Sequence, residues 1–182
     1  MNGLPPSAVA SAPLLVTAEL PPDIFAWAEG LRRRHYPPDR NRVRAHVTLF
    51  HALPPSVESE VRRLLARETV RPPPAAELTG IMKLGRGTAI DIASPALHAI
   101  HAELARALHG VLTVQDAAQR RLHVTIQNKV APAEAKALQA TLAAELRPRG
   151  FHFAGLALHR WRGGVWEDGG RWPFRGGLPK CG

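Results

Sequence analysis

Two histidines in this chain stand in matching surroundings. Arg44, His46, Thr48 and Phe50 alternate with Ala45, Val47 and Leu49, and Arg121, His123, Thr125, Gln127 and Lys129 alternate with Leu122, Val124 and Ile126. Imidazole titrates near neutral pH, so one ring can take a proton while another gives one up. A pair does base and acid work in a single step, each role worth roughly 10²–10⁴-fold. A threonine hydroxyl two residues on can donate to a non-bridging phosphate oxygen, where charge develops in the transition state. His46 and His123 as acid and base, with Thr48 and Thr125 as phosphate holders, would therefore suit cleavage of a phosphodiester. That chemistry calls for no metal and no cofactor, because the histidines move the protons and the hydroxyls hold the phosphate. One His-x-Thr alone says little, since a chain of this composition yields about 0.4 copies by chance.

Two other readings compete. The histidines could be strand residues left by a duplication, although a sheet interior does not favour histidine. They could be metal ligands, but no carboxylate or cysteine sits at matching spacing in either strand, and no His-x-x-x-His lies beside them.

The elements that must carry these residues repeat. A shift of 77 residues aligns Arg44 with Arg121, His46 with His123, Thr48 with Thr125, Pro55 with Pro132, Leu65 with Leu142 and Glu68 with Glu145, without gaps. Alternation and proline-led helix starts predict strands at 13–19, 42–50, 77–84, 88–93, 121–130, 151–161 and 165–174. Helices are expected at 21–34, 54–69, 94–109 and 132–146, each opened by proline. Each half then reads as one β-α-β-α-β unit. The expected fold is α+β: two pseudo-symmetric lobes, each an antiparallel-type sheet with helices on its outer face, around a central cleft. In a strand, alternate side chains share a face, so Arg44, His46, Thr48 and Phe50 would face Arg121, His123, Thr125, Gln127 and Lys129. The Arg32-Arg33-Arg34-His35 run falls at a helix end, where positive charge complements the helix dipole. His35, His51, His98, His101, His109, His152 and His159 lack a partner motif and are expected mostly at the surface.

The chain has 182 residues, 45% of them apolar, and a net charge of +9. This length suits one bilobal domain over 1–182, with 1–12 and 176–182 as flexible tails. The basic balance favours polyanion partners such as nucleic acid. No apolar run reaches the roughly 20 residues of a membrane span. The apolar stretch at 13–19 has no basic region ahead of it, so it reads as a strand and not a secretion signal. A cytoplasmic monomer is the expectation. Cys181 is a single cysteine near the C-terminus and is assigned no role.

With its two His-x-Thr motifs in a duplicated α/β chain, the sequence resembles the 2H phosphoesterase superfamily, and within it the bacterial 2′-5′ RNA ligase and RNA 2′,3′-cyclic phosphodiesterase proteins. The resemblance spans about residues 13–175. It implies that both motifs line a central groove. It also implies hydrolysis of 2′,3′-cyclic phosphate ends of RNA or nucleotides to 2′-phosphomonoesters, with 2′-5′ ligation as the related reverse reaction. By that resemblance His46 is the general base, His123 the general acid, and Thr48 and Thr125 hold the phosphate. Arg44, Arg121, Phe50 and Lys129 are further substrate-binding candidates, and Phe50 or Trp161 could stack on a base. The alternatives are a non-catalytic RNA- or nucleotide-binding module of the same fold, and a phosphodiesterase for a small metabolite.

Overall fold

The computed structural model describes residues 13–118 and 121–177. The expected lead-in 1–12 and Cys181 lie outside them. The described elements are β1 (Leu14–Glu19), α1 (Pro22–His35), β2 (Val47–Leu53), α2 (Glu58–Glu68), β3 (Ala75–Lys83), β4 (Thr88–Ala93), α3 (Pro95–Ala107), α4 (Val114–Ala117), β5 (Leu122–Gln127), α5 (Pro132–Glu145), β6 (Arg149–His152), β7 (Gly155–Arg162) and β8 (Val165–Pro173). Proline sits in the first turn of α1, α3 and α5, where its missing N–H costs nothing. Ser94 caps α3 by accepting the Leu97 N–H at 3.2 Å. Among the described residues no helix is long and apolar enough to cross a membrane.

The strands form two four-stranded antiparallel sheets, ordered β2-β1-β7-β8 and β5-β4-β3-β6. The expected α+β class and its two related lobes are present. The halves of the sequence, however, are not the lobes. β3, from the first half, pairs with β4 of the second, and β7, from the second half, pairs with β1 of the first. Each sheet thus borrows its third strand. The run expected as one strand over 151–161 is split: β6 ends the second sheet, and after Phe153 and Ala154 the chain enters the first sheet as β7. At the other end, Arg175 and Gly176 donate their N–H groups to the carbonyls of Thr69 and Arg71, so the expected tail is held by the fold as far as 176.

The core runs through both sheets. Val16, Ala18, Val47, Leu49 and Leu158 from the first meet Ile90, Ile92, Leu122, Val124 and Ile126 from the second in one apolar cluster. Helices pack against both sheets, and α1, from the first half, packs on β5 of the second sheet. Arg160 of β7 bonds Glu58 of α2, with Nε at 2.8 Å. That guanidinium, helped by Arg62, holds the Glu58 carboxyl at about 2, well below the usual range. On the second sheet, Gln139 of α5 donates to the Gly87 carbonyl at 2.9 Å. Gly87 is needed there because a Cβ would stand 2.3 Å from the carbonyl oxygen of Gln127. β2 and β5 are outer strands of different sheets, and they lie beside each other.

Candidate active site

The two motifs share a local frame down to individual hydrogen bonds. His46 Nδ1 donates to the Arg44 carbonyl at 2.6 Å, and His123 Nδ1 donates to the Arg121 carbonyl at 3.0 Å. A carbonyl can only accept, so each Nδ1 carries its proton. In the neutral ring Nε2 is then the atom with the lone pair. Both histidines are half-buried, as are Thr48 and Thr125.

The motifs also share a bulge. β1 advances one residue, Val16 to Thr17, while β2 advances two, Phe50 to Thr48. β4 advances one, Thr88 to Ala89, while β5 advances two, Gln127 to Thr125. Leu49 and Ile126 are the extra residues. A bulge breaks the alternation of faces, and the residue after each one turns inward. This corrects the reading of Phe50 as a substrate contact. It is fully buried and stacks on His101 with ring centroids 4.7 Å apart. Gln127 is likewise buried, 3.4 Å from the Thr88 hydroxyl and 3.4 Å from Glu134. It does not share the face of His123 as expected. Lys129 is exposed beyond the end of β5, with φ of 57° and its N–H bonded to the Asn128 side chain.

The expected strand over 42–50 begins only at Val47. Two backbone groups of the residues before it are bonded by side chains of α1. The Ala45 N–H donates to Glu29 and the Val43 carbonyl accepts from Arg32, each at 2.7 Å. The basic run closes the last turn of α1, as expected, but within it Arg32 is buried while Arg33 and Arg34 are exposed.

A cavity of about 440 Å³ opens beside His46. Thr17, Glu19, Phe25, Arg44, His159, Trp166, Asp168 and Arg171 are among its walls, while His123, Thr48 and Thr125 are not. Arg44 lies over the Phe25 ring at 4.4 Å. Arg121 is exposed and paired with Asp91 at 2.6 Å, and Asp91 stands opposite His123 in the β4–β5 ladder. Trp161 packs edge-on to Trp166 at 5.2 Å. His159, expected at the surface, instead lines the cavity of His46, with its Nε2 3.1 Å from the Thr17 hydroxyl. His101 is buried, and His51 Nδ1 lies 3.2 Å from the fully buried Asp116. Alternation did hold the signal for Thr17, which falls on the opposite face of β1 from Val16 and Ala18.

Burial lowers the His46 pKa to about 4, against the hydrogen bond to Arg44. Charge on Arg32, and on His159 and His51 when protonated, pushes the same way. Burial also lowers His159, with Asp168 opposing. Asp116 moves down despite burial, because His51 and the Ala52 N–H bond its carboxylate.

Residues 20–165 match the family model of the 2'-5' RNA ligase superfamily, and the chain belongs to that family. The resemblance to two-histidine phosphoesterases drawn from the motifs is thereby borne out. No curated protein sequence matches. Among solved structures, E. coli LigT complexed with 3'-AMP superposes with a TM-score of 0.55 at 16% identity, covering 90% of this chain and 98% of that one. TT0787 of Thermus thermophilus gives 0.56 at 16% identity over 90% and 98%. E. coli LigT complexed with NADP+ gives 0.54 at 17% identity over 91% and 98%. At such identities the likeness is one of fold.

Proposed function

We propose that this protein is a metal-independent phosphodiesterase that hydrolyses 2′,3′-cyclic phosphate ends of RNA or nucleotides to 2′-phosphomonoesters. The observation that carries the reading is the matched presentation of the two imidazoles, each with Nδ1 bound to the carbonyl two residues before it. Water attacks the phosphorus as His46 Nε2 takes its proton. The P–O3′ bond breaks, and His123 gives a proton to the departing O3′. The Thr48 and Thr125 hydroxyls donate to the non-bridging oxygens, where fixed donors lower the barrier. Burial keeps His46 neutral at pH 7, which supports it as the base. Attack by a 5′-hydroxyl in place of water would give 2′-5′ ligation by the same atoms.

A nucleotide substrate is supported by the basic net charge of +9 and by the nucleotide complexes of LigT. Arg44 beside His46 and Arg121 beside His123 would meet the flanking phosphates, and Lys129 a more distant one.

The test is turnover of a panel of 2′,3′-cyclic nucleotides and 2′-5′-linked dinucleotides, with products read by mass spectrometry, for wild type, His46→Ala and His123→Ala. Loss of activity in both variants is expected, with wild-type turnover insensitive to EDTA. Full activity in either variant would sink the mechanism. Binding without turnover in wild type would make the protein a binding module. Turnover of other phosphodiesters alone would point to a small metabolite.

A further inference from the structure

The two motifs sit on outer strands of separate sheets, and among the described residues no ladder joins β2 to β5. A buried guanidinium bridges them instead. Arg32 of α1 is 4% exposed. Its Nη1 donates to the carbonyl of Thr125 in β5. Its Nη2 donates to the carbonyl of Val43 at 2.7 Å and to the Asn41 side chain, both on the segment that leads into His46. Glu29, one turn earlier, stands 3.8 Å from Arg32 Nε and accepts the Ala45 N–H at 2.7 Å. The Tyr36 ring covers the guanidinium at 4.4 Å. One ion pair on one helix thus grips the backbone on the N-terminal side of His46 and, two residues past His123, the backbone of the second motif.

A charge is expensive to bury, and among the described residues Arg32 Nε has no hydrogen-bond partner and faces Glu29 only as an ion pair, while both Nη atoms are bonded. Such a node is a poor device for stability alone. It is a good one for fixing a distance, because the guanidinium is a rigid planar fork with donors at set angles.

We infer that Arg32 is a positioning residue that sets the spacing and orientation of the two His-x-Thr motifs across the gap between the sheets. The inference rests on the two-histidine reading of the site. Under that reading the two imidazoles must flank one phosphorus together, and a misplacement near 1 Å costs about 10²-fold in rate. Arg32 is also a permanent positive charge facing His46, where the titratable His159 of β7 and His51 of β2 stand as well. Removing it lets His46 hold its proton to higher pH.

The experiment compares wild type, Arg32→Met, Arg32→Lys and Glu29→Gln. It records kcat and KM against pH on a 2′,3′-cyclic nucleotide, thermal melts, and substrate-free 15N-histidine NMR titrations. For Arg32→Met we expect a folded protein with lowered Tm, kcat reduced about 10²-fold, KM near wild type, and an upward shift of the acid limb and of the His46 titration. Arg32→Lys should restore the position of the acid limb but not kcat, since an ammonium cannot span both carbonyls. A role in stability only would lower Tm and leave kcat and the pH profile of the folded enzyme unchanged, and that result overturns the inference. Should Arg32→Met fail to fold, Glu29→Gln decides: folded protein with wild-type kcat and His46 titration counts against it. The NMR titration needs no turnover. If wild type proves inactive, the phosphodiesterase reading falls, and the substrate-free spectra of Arg32→Met then decide the inference: ring resonances shifted at both His46 and His123 support it, and a change confined to the His46 titration overturns it.

Discussion

The segments around His46 and His123 have the same backbone and different neighbourhoods. Both anchor Nδ1 on the carbonyl two residues back, and both bulge at the residue after the threonine. Around His46 lie Arg32, His159, His51 and a cavity walled by Phe25, Trp166 and Asp168. Around His123 lie Asp91, its ladder partner, and Arg121, which pairs with that carboxylate. A repeat in sequence therefore reproduces the local frame of each motif, while packing against unlike elements gives each histidine its own electrostatics. The proposed assignment of His46 as the base rests on that difference.

The sharpest way to break this comparison is to remove each histidine in turn. His46→Ala and His123→Ala should each lower kcat for a 2′,3′-cyclic nucleotide by roughly 10²–10⁴-fold. A large loss in one variant only would mean that one histidine does the chemistry. Removing a hydroxyl should cost less. Thr48→Ala and Thr125→Ala should each reduce kcat by about 10²–10³-fold where the donor meets the developing charge. Steady-state kinetics would show whether the two donors are equivalent.

The pH profile sharpens the assignment of roles. As pH falls through about 4, His46 gains a proton, so under the proposed role of His46 as base kcat/KM should decline there. A limb near the ordinary histidine value of about 6.5 that survives in His123→Gln would count against His46 as the enclosed base.

The two residues turned inward by the bulges should behave as core and not as ligand contacts. Phe50→Ala should cost about 3–5 kcal/mol of stability, and Gln127→Ala about 1–3 kcal/mol as partners are left unpaired. Both would appear in thermal melts. A raised KM with an unchanged melt for Phe50→Ala would return it to the binding surface. The smallest effect is expected from Lys129→Ala. Its side chain is exposed and outside the cavity, so KM should rise less than about 10-fold, in line with a single solvent-screened charge, and more at low salt than at high.

Much of this was legible in the sequence alone. The His-x-Thr pair, its spacing of 77, the proline-led helices and the α+β class all follow from patterns only a few residues long, repeated twice. Local periodicity carries such information because a strand or a helix turn is set by neighbours in the chain. The fate of Phe50 was not legible, since a bulge is defined by the partner strand, and nothing in Leu49-Phe50 itself says that β1 will advance one residue while β2 advances two.

What the sequence by itself determined is the pair of motifs and the duplicated frame that holds them. What only the tertiary structure decided is which elements meet. The exchange of β3 and β7 between sheets, the arrival of His159 beside His46, and the burial of Arg32 between two unjoined strands are all contacts between residues far apart in the chain. Their reason is the same in each case. Strand edges and buried charges must find partners somewhere, and the fold as a whole, not the local pattern, supplies them.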